Sequence, residues 1–176
     1  VNPTLRAKVA QGLLRDRGYF GASVSFEEQT GRNPKKAKIG YVVNAGQLHT
    51  IDTLTYNGFP VEATALIDST VSQSLVKPGD PFDVSSLDAE RSRISTLFRN
   101  NGYYYYQPSY ASYLADTLSE NGKANMRLQL ADNVPGRAMH KWYLGDITLK
   151  MRRQYTDSLS NVFKYRFFSM YYDGKR

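Results

Sequence analysis

Twice in this chain an amphipathic helical pattern stops at a basic or polar residue, then glycine, then aromatics. The copies are Arg17-Gly18-Tyr19-Phe20 and, roughly eighty residues later, Asn101-Gly102-Tyr103-Tyr104-Tyr105-Tyr106. Glycine takes the left-handed backbone conformation that closes a helix more readily than any other residue, so each copy marks a switch from helix to strand. A switch that recurs at this spacing points to a tandem repeat, and a unit of roughly 80 residues can bury a modest core of its own.

The first copy follows a helix in which Leu5, Val9 and Leu13 form the apolar stripe, and Gly18 stops it. Ala22, Val24 and Phe26 then alternate with serines, a polar turn spans 27–36 with Gly31, Asn33 and Pro34, and Ile39, Tyr41 and Val43 alternate in a second strand. Leu48 to Tyr56 reads as a further strand, ended by the Asn57-Gly58 turn, and a short helix is expected over 61–75. Lys77-Pro78-Gly79-Asp80-Pro81 breaks the chain. A clear helix follows, with Ser85 and Asp88 as a capping pair and Val84, Leu87, Ile94, Leu97 and Phe98 as its apolar stripe. Beyond Gly102, Tyr103 to Tyr113 reads as a strand, Leu118 to Lys123 as a loop, and Met126, Leu128 and Leu130 alternate. Trp142 to Leu149 then opens another unit after the boundary Val134-Pro135-Gly136.

The expected class is α+β, with the order β-α-α-β-β completed once. Residues 1–46 carry the second half of one unit, 47–134 a whole unit, and 135–176 the start of another with an extended, strand-like tail over Val162 to Tyr172. The N-terminus lacks a signal-peptide pattern and the last residues end in a turn signal, so the chain is expected to be cut from a longer protein. It contains no run of 18 apolar residues. With no cysteine, disulfides and Cys-ligated zinc are excluded.

The net charge of +7 invites a nucleic-acid reading, but its distribution argues against one. Residues 1–50 carry 8 basic and 3 acidic side chains, 51–134 carry 6 and 10, and 135–176 carry 9 and 3, so a phosphate-tracking groove would be interrupted in the middle unit. The clusters Lys35-Lys36 with Lys38, and Lys150 with Arg152-Arg153, read as solvated faces. Gly18-Tyr19-Phe20-Gly21 matches the GxxG of a KH module in letters only, because it joins helix to strand and is aromatic. His49 and His140 lack metal-ligand spacing, and Asp80, Asp83 and Asp88 fit helix entry better than a cation loop. With no nucleophile elbow or phosphate-binding loop either, the chain reads as a binding module rather than an enzyme, with no cofactor and no metal.

The residues resemble the POTRA (polypeptide-transport-associated) domains of outer-membrane assembly proteins of the BamA and TamA type. The likeness rests on Ile51-Asp52-Thr53-Leu54 running to Asn57-Gly58, on Gly79-Asp80-Pro81-Phe82-Asp83 before a helix with Asp88, Arg91 and Leu97, on Gly102-Tyr103, and on Tyr143 to Leu149 as a second strand one. It implies a mixed three-stranded sheet packed on two antiparallel helices. It also implies a periplasmic arm before a C-terminal β-barrel of the same protein, receiving unfolded outer-membrane proteins for assembly or translocation, with accessory assembly proteins as further partners. A nucleic-acid-binding βααββ repeat and a structural or partner-docking POTRA scaffold are the alternatives.

In the family's arrangement the strand after the second helix lies at a sheet edge, and an unpaired edge accepts extended peptides by β-augmentation. The expected client-binding residues are therefore Tyr104, Tyr106 and Tyr110 in the middle unit and Val24 and Phe26 in the first. Gly18, Gly58 and Gly102 are the expected turn and cap positions.

Overall fold

Asn2 and Pro3 begin the first helix for complementary reasons. The Asn2 side chain accepts a hydrogen bond from Leu5 N–H at 3.2 Å, and Pro3 sits in the first turn, where a backbone N–H has no helical partner to lose. The computed structural model describes residues 2–30, 37–117 and 122–174. The turn residues Gly31, Asn33, Pro34, Lys35 and Lys36, the loop positions 118–121, and Lys175 and Arg176 lie outside them.

The first helix, α1 (Pro3–Asp16), ends at Gly18 with φ 88°; Gly18 N–H donates to Arg15 O and Tyr19 N–H to Leu14 O. The same pair of bonds closes the third helix, α3 (Val84–Asn100): Gly102, φ 95°, donates to Arg99 O, and Tyr103 to Phe98 O. This is the Schellman closure, which satisfies two terminal carbonyls and needs a residue tolerant of positive φ at its centre. The likeness continues into the next turn, where Ala22 N–H donates to Tyr19 O and Tyr106 N–H to Tyr103 O.

Strands β1 (Ser23–Thr30) and β2 (Ala37–Asn44) form an antiparallel hairpin, against which α1 packs. The helix faces it with Ala7, which is buried, and Gln11, whose Nε2 donates to Ala22 O at 2.8 Å. Leu5, Val9 and Leu13, the expected buried stripe, are exposed. The Gln11 hydrogen bond to Ala22 O and the burial of Ala7 fix that face of the helix on the hairpin, which leaves the leucine face outward.

The middle unit runs β3 (Thr50–Asn57), α2 (Val61–Ser69), α3, β4 (Ala111–Asp116) and β5 (Lys123–Leu130). The strand order is β3-β5-β4, with β3 parallel and β4 antiparallel to the central β5. The order β-α-α-β-β is thus present as expected, with two differences of detail. The N-cap of α3 is Asp83, whose carboxylate accepts from Ser85 N–H at 2.8 Å; the Ser85–Asp88 pair does not cap it. The tyrosine run is not strand: Tyr103 to Tyr106 form a turn, Pro108–Tyr110 a 3-10 turn, and pairing begins only at Ala111.

Along β5 the alternation puts Ala124, Met126, Leu128 and Leu130 in the core. One core cluster surrounds Phe98 with Ala63, Ile67, Ile94, Tyr103, Tyr106 and Leu128; a second gathers Ile51, Val76, Phe82, Leu87 and Met126. Each fully buried large side chain here stabilises the unit by about 1.5–3 kcal/mol.

Packing divides the chain into Val1–His140 and Lys141–Arg176. Val134 and Met139 pack on the Phe98 cluster and Ala138 is buried, so the core of the middle unit reaches past β5. In the second unit β6 (Ile147–Met151), β7 (Asn161–Tyr165) and β8 (Phe168–Tyr172) form a sheet in the order β6-β8-β7. Here β6 is parallel and β7 antiparallel to β8, the arrangement of the middle sheet, although residues 152–160 connect where the middle unit has two helices. The strand-like tail expected over Val162 to Tyr172 folds into a hairpin that reverses at Arg166-Phe167, with Arg166 at φ 52°.

Candidate functional site

Strand β4 bonds to β5 on one side only, and among the described residues no strand pairs with its other edge. Register sets which side chains accompany that edge. Ala111, Tyr113 and Ala115 stand with Leu130, Leu128 and Met126 on the core face, and Ser112, Leu114 and Asp116 stand with Gln129, Arg127 and Asn125 on the open face. Thr53, Thr55, Leu114, Asn125 and Arg127 line a shallow recess of about 370 Å³ on that open face. A free backbone edge beside a mostly polar floor with one exposed leucine can accept an extended chain by main-chain hydrogen bonds. In the first unit β1 pairs, among the described residues, only with β2, and Val24 and Phe26 lie on it.

The structure moves the expected tyrosines off this edge. Tyr106 is 1 % exposed and meets Phe98 edge to face at 4.8 Å. Its hydroxyl has no hydrogen-bond partner among the described residues, and burial pushes its pKa up. Tyr110 lies in the 3-10 turn, partly buried against the same cluster. Tyr104 is 61 % exposed, but it sits in the turn before the strand, with the Arg99 guanidinium 5.8 Å from its ring and Tyr105 crossing it at 5.2 Å. The aromatic content of the run supplies core anchors at Tyr103 and Tyr106, so strand propensity is overridden by packing on Phe98.

A buried carboxylate supports the sheet from behind. Glu90 is 0 % exposed, one turn from Leu87 and Ile94 on the apolar stripe of α3. It accepts from Leu75 N–H at 2.9 Å, Tyr56 Oη at 3.0 Å, and Arg93 Nε and Nη2 at 2.9 and 2.7 Å. Burial alone would raise its pKa, but the bonds from Arg93 and Leu75, the Arg93 charge and the Tyr56 hydroxyl outweigh it and hold the carboxyl below its ordinary range. Tyr56, half desolvated and beside that negative charge, is pushed up to about 12. The clamp joins α3, β3 and the segment after α2, and every polar atom of Glu90 is used.

The first repeat is seated on the middle unit through Gly18. Gly18 O accepts from His49 N–H at 3.0 Å, Phe20 meets Phe82 and His49 edge to face at 4.8 and 4.9 Å, and Arg17 pairs with Asp83 at 2.6 Å. The Asp83 carboxyl is held below its ordinary pKa, first by the Ser85 hydroxyl and backbone N–H and then by Arg17. A Cβ at Gly18 would stand 3.0 Å from Phe82 Cβ and 3.1 Å from the carbonyls of His49 and Phe82. Gly18→Ala is therefore expected to cost about 2 kcal/mol or more in urea unfolding, from the positive φ plus displaced backbone. Gly21→Ala, where an added Cβ meets nothing within 4 Å, leaves the midpoint unchanged; equal losses would overturn the assignment. Gly58, φ 78°, turns the chain after β3.

Among the described residues no helix is long and apolar enough to cross a membrane. No group of three His, Asp or Glu side chains among them stands close enough to hold a metal ion.

No protein-family model matches the chain, and no curated protein matches it. Among solved structures it is similar to a Haemophilus ducreyi BamA lacking POTRA domains 1–3, at 16 % identity and TM-score 0.45, over 72 % of this chain and 22 % of that one. It is similar to Haemophilus influenzae BamA POTRA3–5 at 15 % identity and TM-score 0.46, over 85 % of this chain and 54 % of that one. A third is the N-terminal domain of Omp85 from the cyanobacterium Thermosynechococcus elongatus, at 12 % identity and TM-score 0.37, over 72 % and 50 %. The chain spans less than two thirds of the length of each of these three.

Proposed function

We propose that this chain is a periplasmic binding and hand-over module of an outer-membrane β-barrel assembly or translocation factor, receiving unfolded outer-membrane proteins on the free edge of β4. The observation that carries the reading is the one-sided pairing of Ala111–Asp116 in a sheet of order β3-β5-β4. Main-chain pairing tolerates almost any client sequence, as a receiver of many substrates requires, and the open edge of β1 offers a second place of the same kind. The periplasmic setting, the chain's own C-terminal barrel and docking of accessory assembly proteins follow from the likeness of the Ile51 to Gly58 and Gly79 to Asp83 segments to POTRA domains. The module works by binding, with no catalytic group or cofactor in its mechanism.

Photo-crosslinking residues at Ser112 and Leu114 are expected to capture a denatured outer-membrane barrel protein, with markedly less capture at Tyr104. Capture at Tyr104 without capture at Ser112 or Leu114 would move the site off the edge and sink this reading.

A further inference from the structure

Each backbone group on the β4 edge has a direction that the ladder fixes. Ala131 N–H donates to Tyr110 O at 2.9 Å, so the Tyr110 carbonyl turns toward β5. Backbone groups of successive strand residues point to opposite sides, so Ser112 and Leu114 also turn to β5, and Ala111, Tyr113 and Ala115 turn to the open edge. Ala111 is already used. Its N–H donates to Pro108 O, and its carbonyl accepts from Arg91 Nη1 of α3 at 3.4 Å. Asp88, one turn earlier in the helix, holds the same guanidinium through Nη2 at 2.7 Å. The outward N–H and C=O of Tyr113 and Ala115 have no partner among the described residues.

The other edge opens with the same closure. Ala22, immediately before β1, donates its N–H to Tyr19 O, three residues back, as Ala111 does to Pro108 O. Its carbonyl accepts from Gln11 Nε2 of α1 at 2.8 Å. Both alanines are buried. In each unit, then, a side-chain donor from the preceding helix occupies the carbonyl with which the edge begins.

On the reading that clients pair with β4, we propose that Arg91 is a positioning residue that sets their register. With Ala111 closed on both its N–H and its C=O, a client strand finds its main-chain partners at Tyr113 and Ala115 and cannot extend its ladder toward the tyrosine turn. The pairing is therefore short, and a short ladder releases readily. The fold depends little on the guanidinium itself: its bond to Ala111 is long, Arg91 Nε is buried without a partner among the described residues, and the pair with Asp88 is partly exposed.

The test titrates the full chain against a fluorescently labelled, urea-denatured outer-membrane barrel protein, with cross-links at Ser112 and Leu114 to report the place of binding. Arg91→Met keeps the aliphatic stem and frees Ala111 C=O for a client N–H, so binding is expected to tighten about fivefold, the increment of one hydrogen bond. Damage to the fold would weaken binding instead, so the sign of the change separates a register role from a structural one. Ala115→Pro removes an outward N–H and leaves the β4–β5 ladder intact, as a proline on an edge strand does. It is expected to weaken binding about fivefold or more. Binding by Arg91→Met equal to or weaker than that of wild type overturns the proposal, as does wild-type binding by Ala115→Pro. A wild-type chain that gives no cross-link at Ser112 or Leu114 fails at the earlier step and sinks the edge reading itself.

Discussion

Glu90→Ala is expected to destabilise the Val1–His140 unit by about 3–5 kcal/mol, the cost of leaving one partner of a buried ion pair alone. Arg93 is held on α3 with its guanidinium against Glu90 and Thr70, and Leu75 N–H and the Tyr56 hydroxyl lose their acceptor at the same time. Glu90→Gln keeps one acceptor oxygen, for Leu75 N–H, and turns an amide NH2 toward the Tyr56 hydroxyl, which can accept from it, while removing the charge, so its loss is smaller. The depressed pKa of Glu90 gives the pH signature. Its contribution is complete above the ordinary carboxylate value of about 4.3 and is lost as pH falls through the lower folded value, because the unfolded chain takes up the proton first. Urea unfolding at neutral and acidic pH reads both effects. An Ala variant within about 1 kcal/mol of wild type, with the same acid dependence, would show that the clamp contributes little.

Tyr106 separates a core role from a client-contact role by two substitutions. Tyr106→Ala is expected to cost about 3–5 kcal/mol, as truncation of a buried aromatic does, because Phe98 and Tyr110 lose an edge contact and a cavity opens under the turn. Tyr106→Phe keeps the ring and removes a buried hydroxyl without a partner among the described residues, so stability is unchanged or rises by about 1 kcal/mol. Client capture by the Phe variant should equal that of wild type. A Tyr106→Ala variant as stable as wild type but deficient in capture would return this side chain to the binding site.

The parts of the fold that read clearly from sequence are those set by local chemistry. The two helix stops depend on one glycine each, and the alternation of Met126, Leu128 and Leu130 marks a strand with one buried face. In the tyrosine run a turn overrides strand propensity: Tyr103 to Tyr106 aligns with Tyr19 to Ala22, where Gly21 favours a turn. Glu90 is absent from the sequence reading, although a carboxylate between Leu87 and Ile94 on an apolar stripe is the signal of a buried, paired acid. Two features depend on distant partners and leave no local mark. The stripe Leu5, Val9 and Leu13 shows amphipathicity but not which face the hairpin covers, and the pairing of β6 with β8 skips β7. The β4 edge was anticipated in kind, displaced toward the C-terminus by one turn and one 3-10 segment.

The seat at Gly18 bears on how a client would be held. It fixes the β1 hairpin to the middle unit through His49, Phe82 and Asp83, so both open edges belong to one frame. If a client pairs with β4 as proposed, its next segment would meet β1 at an effective concentration of about a millimolar when the span between them is short and flexible. The arm loses no further conformational freedom in presenting the second edge. Two individually weak pairings would retain a chain while each still releases quickly, which suits the hand-over role proposed above.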